Sequence, residues 1–109
     1  MKKQKLLIII FFFFVNILPG SAFNLEKGKN LFHLNCIACH QNGENLIIPE
    51  KNLKKEILQA NGMYSLEAIK YQVLNGKNGM PAFGGRLKEQ EIEEIANYVM
   101  NSAEKNFEH

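Results

Sequence analysis

Both cysteines of the chain lie in one pentapeptide, Cys36-Ile37-Ala38-Cys39-His40. Two thiols at this spacing, followed at once by an imidazole, could form a disulfide, bind zinc, act as a redox dithiol or attach a porphyrin. A disulfide would close a very small loop, contribute little stability and leave His40 without a reason. A structural zinc site needs four ligands, typically from two such pairs. Here there is one pair, and His33 and His109 are the only other histidines. A thioredoxin-like dithiol follows a strand, whereas the residues before Cys36 have helical spacing. C-x-x-C-H is the attachment signature of c-type haem. On a helical turn, Cys36 and Cys39 can reach both vinyl groups of one porphyrin and form two thioethers. The imidazole of His40 then falls beneath the iron as an axial ligand.

Haem iron has a second axial position, and its occupant decides between electron transfer and small-molecule chemistry. The candidates are His33, His109, Met63, Met80 and Met100. His33 lies too close to the attachment motif and reads as an exposed helix residue. His109 ends the chain. Met100 lies near the apolar face of a helix and reads as core. Met63 follows Asn61-Gly62 in a short turn and is the lesser rival. Met80 is the expected ligand: the chain beyond His40 is long enough to wrap the haem edge, and Pro81 biases residue 80 towards an extended backbone. A thioether favours reduced iron, so His/Met ligation raises the potential. With both positions filled, the expected function is outer-sphere electron transfer and not enzymatic catalysis.

Four helices can be read around these residues, with no convincing strand. The first is capped by Asn24 and runs over 25–35, with Gly28, Leu31 and Phe32 on one face. The second is expected over 53–60 with Asn52 as cap, stopped by Asn61-Gly62. The third is capped by Ser65, carries Leu66, Ile69, Val73 and Leu74 on a stripe, and ends at Asn75-Gly76. The fourth carries Ile92, Ile95, Ala96 and Val99 at helical spacing. Its start is not fixed by a cap, since Lys88 is a poor one, although Glu89, Glu91 and Glu93 suit a helix N-terminus. Residues 76–87 hold four glycines and a proline and cannot be helix or regular strand. Yet they carry Met80 and Phe83, which a solvated loop would not select.

The chain has 109 residues, one small domain at most. Lys2, Lys3 and Lys5 precede an apolar run over 6–18, and small residues follow at Gly20 and Ala22. This pattern predicts a signal peptide, residues 1–22, removed to leave a domain of residues 23–109. The run is shorter than the about 20 apolar residues a membrane span needs, so no anchor is expected to remain. Loss of the three lysines leaves ten basic against eleven acidic residues. That near-neutral balance argues against nucleic acid as a partner. A domain this small buries little apolar area unaided, and a covalent haem would supply the centre of its core. The abundance of Lys, Asn, Ile and Phe and the lack of Asp hint at an A/T-rich genome, such as a plastid's.

"CIACH", "IIPEKNLKKEIL", "YQVLNGKNGMPAFGGRL" and "IEEIANYV" together resemble the cytochrome c6 family over roughly residues 24–106. The resemblance implies an all-α, class I cytochrome c fold: about four helices round one covalently bound haem c, the first and last helices crossing. Gly28 with Phe32, and Ile95 with Tyr98, match that crossing. Cys36, Cys39, His40 and Met80 match the family's haem-binding positions. Gln72 matches a glutamine near the haem that tunes its potential. Arg86 matches an arginine associated with docking to photosystem I. The resemblance further implies a monomeric carrier in the thylakoid lumen of a plastid or cyanobacterium. Such a carrier takes electrons from cytochrome f of the cytochrome b6f complex and delivers them to photosystem I through transient encounters. Gly79 stands where the family frequently has alanine, and Asn52 where it has threonine; the terminal residues 106–109 run past its usual end and have no assigned role.

Three other readings stay open on residues alone. A respiratory periplasmic cytochrome donating to a terminal oxidase would share the ligands and helix pattern. An open-site haem enzyme would leave Met80 off the iron. A haem-free interaction module would not attach the cofactor.

Overall fold

The computed structural model describes residues 24–108. The expected signal peptide with its cleavage point, and His109, lie outside them. The described residues form four helices, α1 (Leu25–Asn35), α3 (Lys55–Ala60), α4 (Leu66–Asn75) and α5 (Glu89–Glu104), and a single turn, α2 (Ile37–His40), directly after α1. Short 3₁₀ turns occupy Gln41–Gly43 and Pro49–Lys51. No strand occurs among the described residues; only isolated bridges pair Lys77 with Met80 and Gly84 with Leu87. None of their helices is long and apolar enough to cross a membrane.

The helix starts follow from local chemistry. Asn24 accepts the Lys27 N–H at 3.0 Å and Ser65 accepts the Ala68 N–H at 3.1 Å, so each satisfies a donor that a helix start would otherwise leave orphaned. At α5 the Glu91 carboxylate accepts the Lys88 N–H at 2.8 Å. Lys88 has only donors on its side chain and caps nothing itself.

The second expected helix begins later than its sequence suggests. Asn52 is no helix cap: its Oδ1 accepts the Lys54 N–H at 2.9 Å, and its Nδ2 donates to the Pro49 carbonyl at 3.2 Å. The chain stays extended through Lys54, whose φ of −69° and ψ of 151° put it at the N-cap position, so α3 starts at Lys55. Leu74 also departs from expectation. Ile69 and Val73 are buried, but Leu74 is 45% exposed. It lies in the last turn of α4, where Gly84 N–H bonds the Leu74 carbonyl at 3.0 Å.

The core is the crossing of α1 and α5. Phe32 from α1 meets Ile92, Ile95, Ala96 and Val99 from α5, all buried, and its ring centroid lies 5.2 Å from that of Tyr98. Close approach depends on Gly28. A Cβ at that position would collide with the Glu94 carbonyl and stand 3.0 Å from Tyr98 Cβ. Phe107 joins this core, 6% exposed, with its ring 6.3 Å from that of Phe32. The terminal residues therefore have a structural role that their position past the last periodic segment did not suggest.

Candidate functional site: a cleft between two sulfur-bearing segments

α1 ends at Cys36, whose backbone leaves the helical region and whose N–H still bonds the Phe32 carbonyl at 2.8 Å. The chain re-enters a helical turn at once, with the Cys36 carbonyl accepting N–H groups from Cys39 at 3.2 Å and His40 at 2.9 Å. That turn brings Cys36, Cys39 and His40 to one wall of a cleft. Both cysteines are half-buried, and no disulfide joins them. Burial, and secondarily the neighbouring Cys39 thiol, push the Cys36 thiol up to about 11. Before any thioether forms, the thiol is therefore neutral at physiological pH, as suits a sulfur facing an apolar cavity.

His40 is oriented by its backbone surroundings. Its Nδ1 lies 2.9 Å from the Glu44 carbonyl oxygen. A carbonyl can only accept, so Nδ1 carries the proton and Nε2 keeps its lone pair. Metal-binding histidines are characteristically held this way, with the second nitrogen tied to an acceptor.

Met80 comes from the opposite wall, and its loop is pinned at both ends of a tight turn. Lys77 N–H bonds the Met80 carbonyl at 3.0 Å and Met80 N–H bonds the Lys77 carbonyl at 2.9 Å. The loop then returns to α4, where Phe83 N–H bonds the Val73 carbonyl at 2.9 Å. Gly76 makes this path possible. Its φ of +71° takes the chain off the helix, and a Cβ there would meet the Met80 carbonyl and the Ala82 nitrogen at 2.6 and 2.7 Å. Gln72, one turn back on α4, points its Nε2 at Met80 Sδ across 3.5 Å.

The cleft comprises two adjoining hollows, both lined by Cys36, His40 and Met80. Phe32, Leu58, Ile69, Val73, Ile95 and Val99 floor the first. Ile47, Ile48, Pro81 and Phe83 close the second. Lys51, Asn52 and Asn61 supply polar groups to the first only. An apolar slot with two thiols on one wall, an imidazole with a free nitrogen lone pair and a thioether fits an iron porphyrin attached through sulfur.

The other expected residues fall into place around it. Met63 lines the first hollow but not the second. Met100 is half-buried against the core, and His33 is exposed. Arg86 is exposed and lies over the Phe83 ring at 4.7 Å, with Nη1 donating to the Ala82 carbonyl at 3.3 Å. It braces the Met80 loop from outside and is absent from the cleft lining. Sequence reasoning missed Glu44, whose contribution is a main-chain oxygen that no residue type reveals. It also missed Ile47, 56% exposed at the rim of the second hollow.

A family model described as cytochrome C oxidase, cbb3-type, subunit III, matches residues 23–99. Narrower matches come from individual proteins. The cytochrome c6 of Bumilleriopsis filiformis is 54% identical over 85 residues, covering 78% of this chain and 99% of that protein. That of Pyropia yezoensis is 50% identical over 106 residues, covering 95% and 96%. The chain belongs to the cytochrome c6 family. The crystal structure of cytochrome c6 from the diatom Phaeodactylum tricornutum agrees in fold, with a TM-score of 0.74 at 47% identity, covering 76% of this chain and 98% of that one. The all-α class I cytochrome c architecture expected from the sequence is therefore the observed one, and the respiratory reading is not favoured. As a cytochrome c6 the chain is an electron carrier of the photosynthetic type, not an enzyme, and it carries one covalently bound haem c with its iron.

Proposed function

We propose that this protein carries single electrons from cytochrome f of the cytochrome b6f complex to photosystem I in the thylakoid lumen. Cys36 and Cys39 would hold the haem through two thioethers, and His40 Nε2 and Met80 Sδ would bind its iron. The observation that carries this reading is the convergence of His40 and Met80 on one apolar cleft, each already oriented by a second residue. When bound, haem c supplies a site that gains and loses one electron. The protein's own residues do the rest. Glu44 holds the imidazole tautomer, and Gln72 holds the thioether. The exit of α4 anchors the Met80 loop through Phe83 N–H to Val73 and Gly84 N–H to Leu74. With His40 and Met80 both serving as donors, the iron would be supplied for electron transfer and not for substrate binding.

Residues 1–22 direct export and are removed, leaving residues 23–109 as a monomer. The partners are met transiently. Leu46 and Ile47 are 71% and 56% exposed beside the cleft, and a small apolar rim of this kind suits encounters that form and release quickly. Arg86 contributes a charge outside that rim to the photosystem I encounter. Its contact with Phe83 gives it a bracing role as well.

Flash photolysis tests this reading. Pre-reduced protein is mixed with photosystem I particles, and re-reduction of the photo-oxidised reaction centre is followed. Saturable, salt-sensitive re-reduction that weakens in Arg86→Glu is expected. Slow re-reduction merely proportional to concentration would place the protein in another electron-transfer chain.

A further inference from the structure

The sequence contains four Asn-Gly pairs, at 42–43, 61–62, 75–76 and 78–79. This dipeptide is the one most prone to spontaneous deamidation, because glycine offers no side chain to hinder attack by its backbone nitrogen on the asparagine carboxamide. Whether a given pair reacts depends on whether the fold restrains the two groups that must meet. The protein therefore contains its own controls.

Two pairs are restrained at both groups. Asn61 Nδ2 donates to the Ile57 carbonyl at 2.9 Å, and Gly62 N–H bonds the Gln59 carbonyl at 3.1 Å. Asn75 Nδ2 donates to the Tyr71 carbonyl at 2.9 Å, and Gly76 N–H bonds the Gln72 carbonyl at 2.6 Å. In both cases the carboxamide is turned back along its own helix. The third pair, Asn42-Gly43, lies in a 3₁₀ turn, with Gly43 buried against the Phe107 ring.

Asn78-Gly79 differs. It occupies the two central positions of the turn closed by Lys77 and Met80, and both residues are exposed. Among the described residues neither the Asn78 carboxamide nor the Gly79 N–H makes a hydrogen bond. Asn78 has a φ of +53° and Asn42 one of +56°, the left-handed region that asparagine adopts readily, so the two pairs are separated by the exposure of their glycines and not by backbone conformation.

We propose that Asn78 is the built-in deamidation site of this protein. The Gly79 nitrogen forms a bond to Asn78 Cγ, the Cγ–Nδ2 bond breaks, and ammonia leaves with the proton from Gly79. Water then opens the five-membered imide. Attack at the Cγ carbonyl gives aspartate, and attack at the main-chain carbonyl gives isoaspartate, with one extra backbone carbon in the turn. No electrons are transferred. Either product replaces a neutral amide by a carboxylate two residues from Met80, at a position lining the cleft. The proposal concerns the turn's own chemistry and does not depend on the redox partners.

The test is to age the haem-loaded protein for weeks at mildly alkaline pH and moderate warmth, then map its peptides by mass and chromatography. The expected result is a gain of one mass unit at residue 78, split between aspartate and isoaspartate peptides, ahead of any change at residues 42, 61 or 75. Gly79→Ala is the companion variant. Its added Cβ would meet only the flexible end of Ile47, at 3.0 Å, and it should remove most of the change at residue 78. Faster conversion at Asn42, Asn61 or Asn75, or equal conversion at residue 78 in Gly79→Ala, would overturn the proposal. So would an unmodified Asn78 after the other sites have reacted.

Discussion

Gln72 Nε2 and Met80 Sδ face each other across 3.5 Å, so the side chain of a helix holds a sulfur that its own loop presents. The amide places its positive end toward the sulfur, which disfavours the more positive, oxidised state of a metal beyond it. Gln72→Val removes that dipole and conserves an apolar lining. One hydrogen bond of about 1 kcal/mol, felt differently by the two oxidation states, corresponds to a fall in midpoint potential on the order of 40 mV. Redox titration of the variant against the parent checks both sign and size.

The α1–α5 crossing should be intolerant of a single methyl group. In Gly28→Ala the new Cβ meets the Glu94 carbonyl and the Tyr98 Cβ. A main-chain oxygen cannot rotate out of the way, so the helices must move apart. Overpacking of this kind costs about 1–3 kcal/mol, and denaturant titration of the haem-loaded variant should show a lower midpoint with a similar slope.

Phe107 should matter more than its place near the chain end implies. Its ring covers Gly43 and packs near Phe32, which joins the C-terminal residues to the turn after His40. Phe107→Ala should destabilise by about 3–5 kcal/mol, the cost of emptying a buried aromatic site. Exchange of backbone amide protons around Gly43 should rise in the same variant. Wild-type stability with an unprotected tail would contradict the packing.

Much of this was legible in the chain. The Asn24 and Ser65 caps and the apolar spacing of α5 each carry a local signal, and each appears where that signal placed it. What could not be read are features made by groups without a residue signature. The partner of His40 Nδ1 is a main-chain carbonyl. The delayed start of α3 follows from the extended backbone of Lys54, which no residue type at that position announces. Leu74 fits a helical stripe but sits where α4 already meets the returning loop. Phe107 lies after the periodic pattern has stopped, so only tertiary contact reveals it.

The absorption spectrum of the oxidised protein tests the central claim most directly. Sulfur bound to ferric iron gives a weak charge-transfer band at the red end of the spectrum, which the account assigns to Met80. The band should be present in the parent, persist in Met63→Leu and vanish in Met80→Ala, with the covalent haem retained in all three. Persistence in Met80→Ala, or loss in Met63→Leu, would contradict the assignment of the two walls of the cleft and the electron-carrier site built on it.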